Sequence, residues 1–344
     1  MTRWLSTPPR WFHGCLLALV LVTPLIVQGS PARPEAYLFA HMTKEDYGRL
    51  YYSVSTDGRH WTLLNGGQRV MGDDYLGHPE ITRAPDGTYW LVGVRPRDNP
   101  GVVFWQSRDL IGWTRGPEID GPRFDVGDRK GGPPYLGAPK LFHDDISGLY
   151  YLTWHAARRD LPPNIVHGVN EARWSDMRTF VMTSPDLRTW SEARPLFQYD
   201  LATIDVIIRR EGDRYYAIIK DERYPTFDHP TGKSIRLAHA KHPLGPWSEP
   251  GQPVSPNYHE APTLIPRADG PGWLLYHEQY PGIQYKISTA RTLAGPWYQE
   301  WINTYQVPPV ARHGVMMPIS RAEHDALIAA FPPAQADKPA SAKP

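Results

Sequence analysis

Hydrophobic and polar positions alternate along this chain only in short stretches, and helical periodicity is confined to its end. Runs rich in aromatic and β-branched residues occupy 36–42, 88–94, 149–155, 214–220 and 273–277. Several are preceded by tight-turn signals such as Pro85-Asp86-Gly87, Asp145-Ile146-Ser147-Gly148 and Glu211-Gly212-Asp213. The pattern predicts a meander of short antiparallel strands. Five times such a run leads into a turn that ends in a tryptophan followed by a small or polar residue, at Trp61, Trp113, Trp190, Trp247 and Trp297. Successive copies lie roughly 50 to 77 residues apart, too far for a solenoid repeat and in the range of propeller blades, where each repeat is one small sheet. The expected fold is therefore all-β, a five-bladed β-propeller. The repeated tryptophans are read as blade-packing residues, because a ligand-stacking residue has no reason to recur in every blade. A propeller brings one loop from each blade to one end of its channel, so a pocket is expected there.

The propeller is assigned to residues 31–320 as one domain. Residues 321–331 carry the spacing of a short helix, and 332–344, rich in Pro, Ala and Lys, read as a disordered tail. Residues 1–30 have the features of a secretory signal peptide: Arg3 and Arg10 precede an apolar run from Cys15 to Val27, and small residues follow. Removal of that leader predicts a secreted or periplasmic protein; an uncleaved membrane anchor is the alternative. The chain's one cysteine, Cys15, would leave with the leader, so disulfides, cysteine nucleophiles and thiolate metal sites are excluded from the mature protein. Two polar loops, 121–137 and 158–178, are long enough either to shape a binding site or to be surface insertions.

Charge narrows the partner class. Lys and Arg number 37 against 36 Asp and Glu, without clustering, which argues against nucleic acid or a membrane surface as partner. Thirteen Trp and 19 Tyr supply flat faces that suit both blade packing and stacking on sugar rings. An uncharged oligo- or polysaccharide is the expected ligand.

Cleavage of a glycosidic bond requires one carboxyl group to protonate the leaving oxygen and a second group to activate water or attack the sugar. Few segments can supply them. Glu260 lies just before a predicted strand among Pro256, Tyr258, His259 and Pro262, surroundings that raise a carboxyl pKa and suit a general acid. Asp205 sits inside the apolar run 202–208, where an unpartnered carboxylate is costly, so it needs a partner or a role. His78 and Glu80 begin a further strand after Asp73 and Asp74, and Arg312 with His313 precede the last.

Together these segments resemble glycoside hydrolase family 43 and its five-bladed relatives, the arabinanase, arabinofuranosidase and β-xylosidase group. The resemblance runs through the strand entries at 79–88, 137–145, 203–223, 257–263 and 311–314. It implies an inverting glycosidase acting on furanosidic or pentose-containing glycans, with Glu260 as general acid and Asp205 as the aspartate that tunes it and orients the sugar. His313 falls on a histidine near the channel axis, associated in many relatives with a metal ion or water, which makes calcium (Ca2+) the candidate cofactor. Where the family carries its general-base aspartate this chain reads Gly77-His78-Pro79, and Lys140 stands where relatives usually carry an acid. Three readings stay open: His78 is the base, or Asp73, Asp74 or Glu80 supplies a carboxylate, or the base is lost and the protein binds sugar without cleaving it. Asp74, Glu80, Arg223, His277 and Arg312 are the candidate sugar-binding residues.

Overall fold

The structure, a computed structural model, describes residues 1, 33–126, 135–157, 174–280, 282 and 284–334. The signal peptide assigned to 1–30, the central parts of the two long loops and the end of the tail lie outside the described residues.

The described residues form five antiparallel sheets. The first contains β1 (Ala36–Thr43), β2 (Tyr51–Ser55) and β3 (Thr62–Leu63); the second β4 (Glu80–Arg83), β5 (Tyr89–Val94), β6 (Gly101–Ser107) and β7 (Thr114–Asp120). The third contains β8 (Gly137–Asp144), β9 (Leu149–Ala157), β10 (Met177–Ser184) and β11 (Arg194–Pro195), and the fourth only β12 (Thr203–Glu211), β13 (Arg214–Asp221) and β14 (Ser234–Ala240). The fifth contains β15 (His259–Pro266), β16 (Trp273–Gln279), β17 (Gln284–Ala290) and β18 (Tyr298–Gln299). The last strand, β19 (Ala311–Ile319), returns to pair with β1 from Ala36↔Ile319 to Thr43↔Ala311 and becomes the innermost strand of the first sheet. The chain thus closes its ring by hydrogen-bonding its end to its beginning. The protein is a five-bladed β-propeller.

Each blade buries both faces, and strand alternation shares the side chains between its two neighbours. In β13, Tyr215, Ala217 and Ile219 enter the core shared with blade 3, while Tyr216 and Ile218 enter the core shared with blade 5. Leu91 and Val92 divide in the same way between blades 1 and 3. Five apolar clusters result, one in each cleft between adjacent blades.

The repeated tryptophans close these clefts from the rim, each against the preceding blade. Trp61 donates to Tyr276 Oη at 3.2 Å, Trp113 donates to Tyr52 Oη at 2.9 Å, and Trp190 stacks on Phe104 at 5.7 Å. Trp247 meets Phe197 edge-on at 6.0 Å, and Trp297 packs on the blade 4 and 5 core. Three of their turns share one local code, Ser-x-Asp: the hydroxyls of Ser55, Ser107 and Ser184 donate to Asp57, Asp109 and Asp186, whose carboxylates accept backbone N–H groups of the turn.

Beyond β19, α1 (Arg321–Ala330) starts at a capping box in which Ser320 Oγ accepts from Glu323 N and Glu323 Oε2 accepts from Ser320 N. Its Leu327 is fully buried in the core of blades 1 and 2. No helix of the described residues is long and apolar enough to cross a membrane.

Removing a rim tryptophan should open a cleft. Trp247→Ala is expected to lower the unfolding free energy by about 3–5 kcal/mol, whereas Trp301→Ala, at a side chain 81% exposed, should change it by less than about 0.5 kcal/mol. Urea denaturation followed by circular dichroism checks the contrast.

Candidate active site

The N-terminal ends of the five innermost strands, β4, β8, β12, β15 and β19, surround one cavity of about 580 Å³, in the size range of small-molecule sites. Four of these strands break register there. Pairing skips between Gly137 and Lys140, between Ile204 and Ile207, between Glu260 and Thr263, and past His313 opposite His41/Met42. Each break holds a non-glycine residue at positive φ: Ala138 at 39°, Asp205 at 51°, Ala261 at 49° and His313 at 29°. A regular strand sends neighbouring side chains to opposite faces, whereas a bulge re-aims them. Consecutive residues can therefore share the cavity, as Ile204 and Asp205 do, and Arg312 and His313.

Glu260 sits at the centre of a buried chain of alternating charge. Arg312 Nη2 donates to its Oε1 at 3.0 Å, and Lys220 Nζ stands 3.9 Å from its Oε2. Beyond Arg312 lies Glu278, 2.9 Å from Nε; beyond Lys220 lies Glu222 at 2.5 Å, which also pairs with Lys233. Burial pushes the Glu260 carboxyl above its ordinary range, helped by Asp205 and Glu222 and opposed by Lys220 and Arg312. Burial likewise takes Glu278 up to about 7, against Arg312.

Asp205 is nearly inaccessible, with Oδ2 accepting from Ala261 N at 3.3 Å and Oδ1 4.0 Å from His155 Nδ1. Burial works to raise its pKa, but His155, His313, His78 and Lys140 outweigh it and bring it down to about 2. His78 and His313 stack face to face at 4.9 Å, and Tyr47 Oη lies 2.8 Å from His78 Nε2. Burial, aided by Lys140, His155 and Arg312 against Asp205, lowers His78 to about 4, so its ring is neutral at neutral pH.

Residues 33–325 match the model of a family related to glycoside hydrolase family 43 and described as a probable glycosyl hydrolase domain. The chain belongs to this family. No curated protein matches it in sequence. Solved structures with a similar fold include an α-L-arabinofuranosidase from Lactobacillus brevis, 16% identical with a TM-score of 0.49 over 65% of this chain and 72% of that one. The Bacteroides ovatus xyloglucan PUL GH43B is 16% identical, with a TM-score of 0.47 over 66% of this chain and 41% of that one. A xylan β-1,4-xylosidase from Bacillus halodurans C-125 is 18% identical, with a TM-score of 0.47 over 66% and 42%. The family member described here thus aligns to about two fifths of the length of the last two.

Of the residues singled out from sequence, Glu260, Asp205, His78, Arg312 and His313 line the cavity. The other five do not. Glu80 is buried beneath it, 3.1 Å from Lys140 Nζ, so the cation that departs from the family pattern is paired with a carboxylate. Asp74 is exposed outside the cavity, as is Asp73, which pairs with Arg69 at 2.6 Å. Arg223 is held by Asp221 at 2.7 Å. His277 is fully buried, with Nδ1 2.7 Å from His259 Nδ1 and Nε2 3.0 Å from Ser288 Oγ, while its neighbour Glu278 turns to the opposite face and meets Arg312. Sequence reasoning did not single out Tyr47, His155 or Lys220. Lys220 had a visible signal, a cation ending the apolar run of β13; Tyr47 lies in a loop without periodicity.

Glu260, Glu278 and His313 bring ligand atoms within 4.8 Å of one another. The group does not fit calcium, which takes six to eight oxygens. Both carboxylates are already engaged by Arg312, whose guanidinium places a positive charge at the same point.

With its pKa near 7, against an ordinary value near 4.5 in the unfolded chain, Glu278 binds its proton more tightly when folded. That contribution is complete below about pH 4.5 and is lost as pH rises through 7. The stability of Glu278→Gln relative to wild type should therefore rise between pH 5 and 8, by on the order of 2–3 kcal/mol, as read from denaturation midpoints across that range. A flat difference would contradict a buried, proton-holding Glu278.

Proposed function

We propose that this chain is an exported glycoside hydrolase that removes furanosidic or pentose sugars from glycans with inversion. The observation that carries the reading is the joint placement of half-buried Glu260, with raised pKa, and ionised Asp205 in one cavity at the strand entries of a family-43-related propeller. The signal-peptide pattern of residues 1–30 supports export.

In this mechanism protonated Glu260 gives its proton to the glycosidic oxygen as the C–O bond breaks, and Asp205 faces the positive charge that develops on the sugar ring. Water attacks the anomeric carbon from the opposite side and loses a proton to His78. When Tyr47 accepts a hydrogen bond from His78 Nε2–H, Nδ1 is the free lone pair that takes this proton. Asp205 favours the imidazolium so formed. Acid and base in an inverting enzyme stand about 6.5–9.5 Å apart to admit the water.

One observation favours a second reading. Among the described lining residues the only carboxylates are Asp205 and Glu260, and the base position holds an imidazole of low basicity. A propeller that binds sugar without cutting it would look the same.

Aryl α-L-arabinofuranoside, β-D-xyloside, β-D-galactofuranoside and β-D-galactoside separate the two. The mature protein is expected to hydrolyse at least one, and Glu260→Gln and His78→Ala should each lower kcat by about 10²- to 10⁴-fold. Loss with Glu260→Gln alone would remove His78 as base. Binding without turnover of any of them, or of natural oligosaccharides, would establish the second reading.

A further inference from the structure

The aromatic residues at the mouth between blades 4 and 5 take no part in the chemistry above. Tyr258 is 38% exposed on the turn two residues before Glu260, with its backbone at φ 63°. That conformation costs a bulky residue about 1–2 kcal/mol and tends to be kept where the side chain has work at a site. Its ring meets Tyr224 and Tyr280 edge-on, each at 6.3 Å. Tyr280 lies under the Lys220 ammonium at 4.9 Å, and the same ammonium stands 3.9 Å from Glu260 Oε2.

An unbroken line of contacts therefore leads from the carboxyl of Glu260 to Tyr224. None of the three tyrosines lines the cavity. The loop that carries Tyr224 is pinned to the Tyr258 turn by Asn257, whose Nδ2 donates to Pro230 O at 2.9 Å and whose Oδ1 accepts from Gly232 N at 3.2 Å. At its tip Phe227 is fully exposed. Rings that served packing alone would need neither solvent exposure nor a left-handed turn. Partly exposed rings with hydroxyls at their edges suit the C–H faces and hydroxyl rims of sugars.

We propose that Tyr224, Tyr258 and Tyr280 form a second saccharide-binding site, a shelf that stacks on the sugar at the leaving-group side of the scissile bond. The inference rests on the assignment of Glu260 as general acid. The cavity then holds the sugar that is released, the shelf holds the one that departs, and Glu260 protonates the oxygen between them. The leaving group is accordingly a saccharide, and the substrate an oligo- or polysaccharide.

The test is calorimetric binding of linear arabino- and xylo-oligosaccharides of two to five residues, and of the corresponding monosaccharides, to the full mature chain carrying Glu260→Gln. Oligosaccharides should bind more tightly than monosaccharides. Adding Tyr258→Ala, or independently Tyr224→Ala, should weaken oligosaccharide binding about 5- to 10-fold and leave monosaccharide binding unchanged. Tyr258→Phe, which keeps the ring, should bind like the parent. Equal affinity for one sugar and for several, or no effect of either alanine variant, would overturn the shelf while leaving hydrolysis of aryl glycosides intact. Failure of every saccharide to bind, together with no hydrolysis, would overturn the glycosidase reading and the shelf with it.

Discussion

Two neighbouring residues of a regular β-strand cannot face the same cavity, and the site depends on how this chain evades that constraint. Four innermost strands accept a register break and a non-glycine residue at positive φ where they meet the cavity. Such conformations cost about 1–3 kcal/mol each and persist only where the surroundings over-determine them. Here the surroundings are the five inter-blade cores and the β1/β19 seam, which hold each strand on both faces just below the break. The propeller thus supplies rigidity, and the bulges spend part of it on aiming Asp205, Arg312 and His313 inward.

The second feature that shapes the chemistry is the charge sequence Lys233, Glu222, Lys220, Glu260, Arg312, Glu278. Buried ions are tolerated when each is paired, and removal of one partner strands the other at a cost of about 3–5 kcal/mol. Both cations that flank Glu260 are also shared with a second carboxylate. Neither is available to Glu260 alone, so burial prevails and the carboxyl keeps its proton more readily than a singly paired glutamate would. Asp205 has the opposite balance, surrounded by imidazoles and Lys140, and stays ionised. The pKa values of two carboxyl groups in one cavity are thereby pushed in opposite directions, as the unlike roles of the two acids in glycoside hydrolysis require.

The fold was largely legible because its signals are local. Turn residues, alternation and the tryptophan that ends each blade all act within about ten residues, and the five runs read as strands prove to be β1, β5, β9, β13 and β16. The three-stranded fourth blade carried no such signal. The candidate site was legible where a residue broke a local pattern, as Asp205 does inside its apolar run. Elsewhere strand alternation decided the face, and a one-residue error reverses it. His277 was read as a sugar-binding residue, but alternation turns it into the packing and sends its neighbour Glu278 to the charged face. Glu80 shares His78's side of the chain by spacing, yet Lys140 draws it below the cavity, a long-range pairing that no local pattern announces.

The most direct test of the account is a crystal structure of the Glu260→Gln variant with an oligosaccharide bound. The account predicts the non-reducing sugar in the cavity between His78 and Asp205, with the glycosidic oxygen within hydrogen-bond distance of the side-chain amide at position 260. A glycan bound with that oxygen turned away from position 260, or bound outside the cavity, would contradict the assignment of Glu260 on which the rest is built.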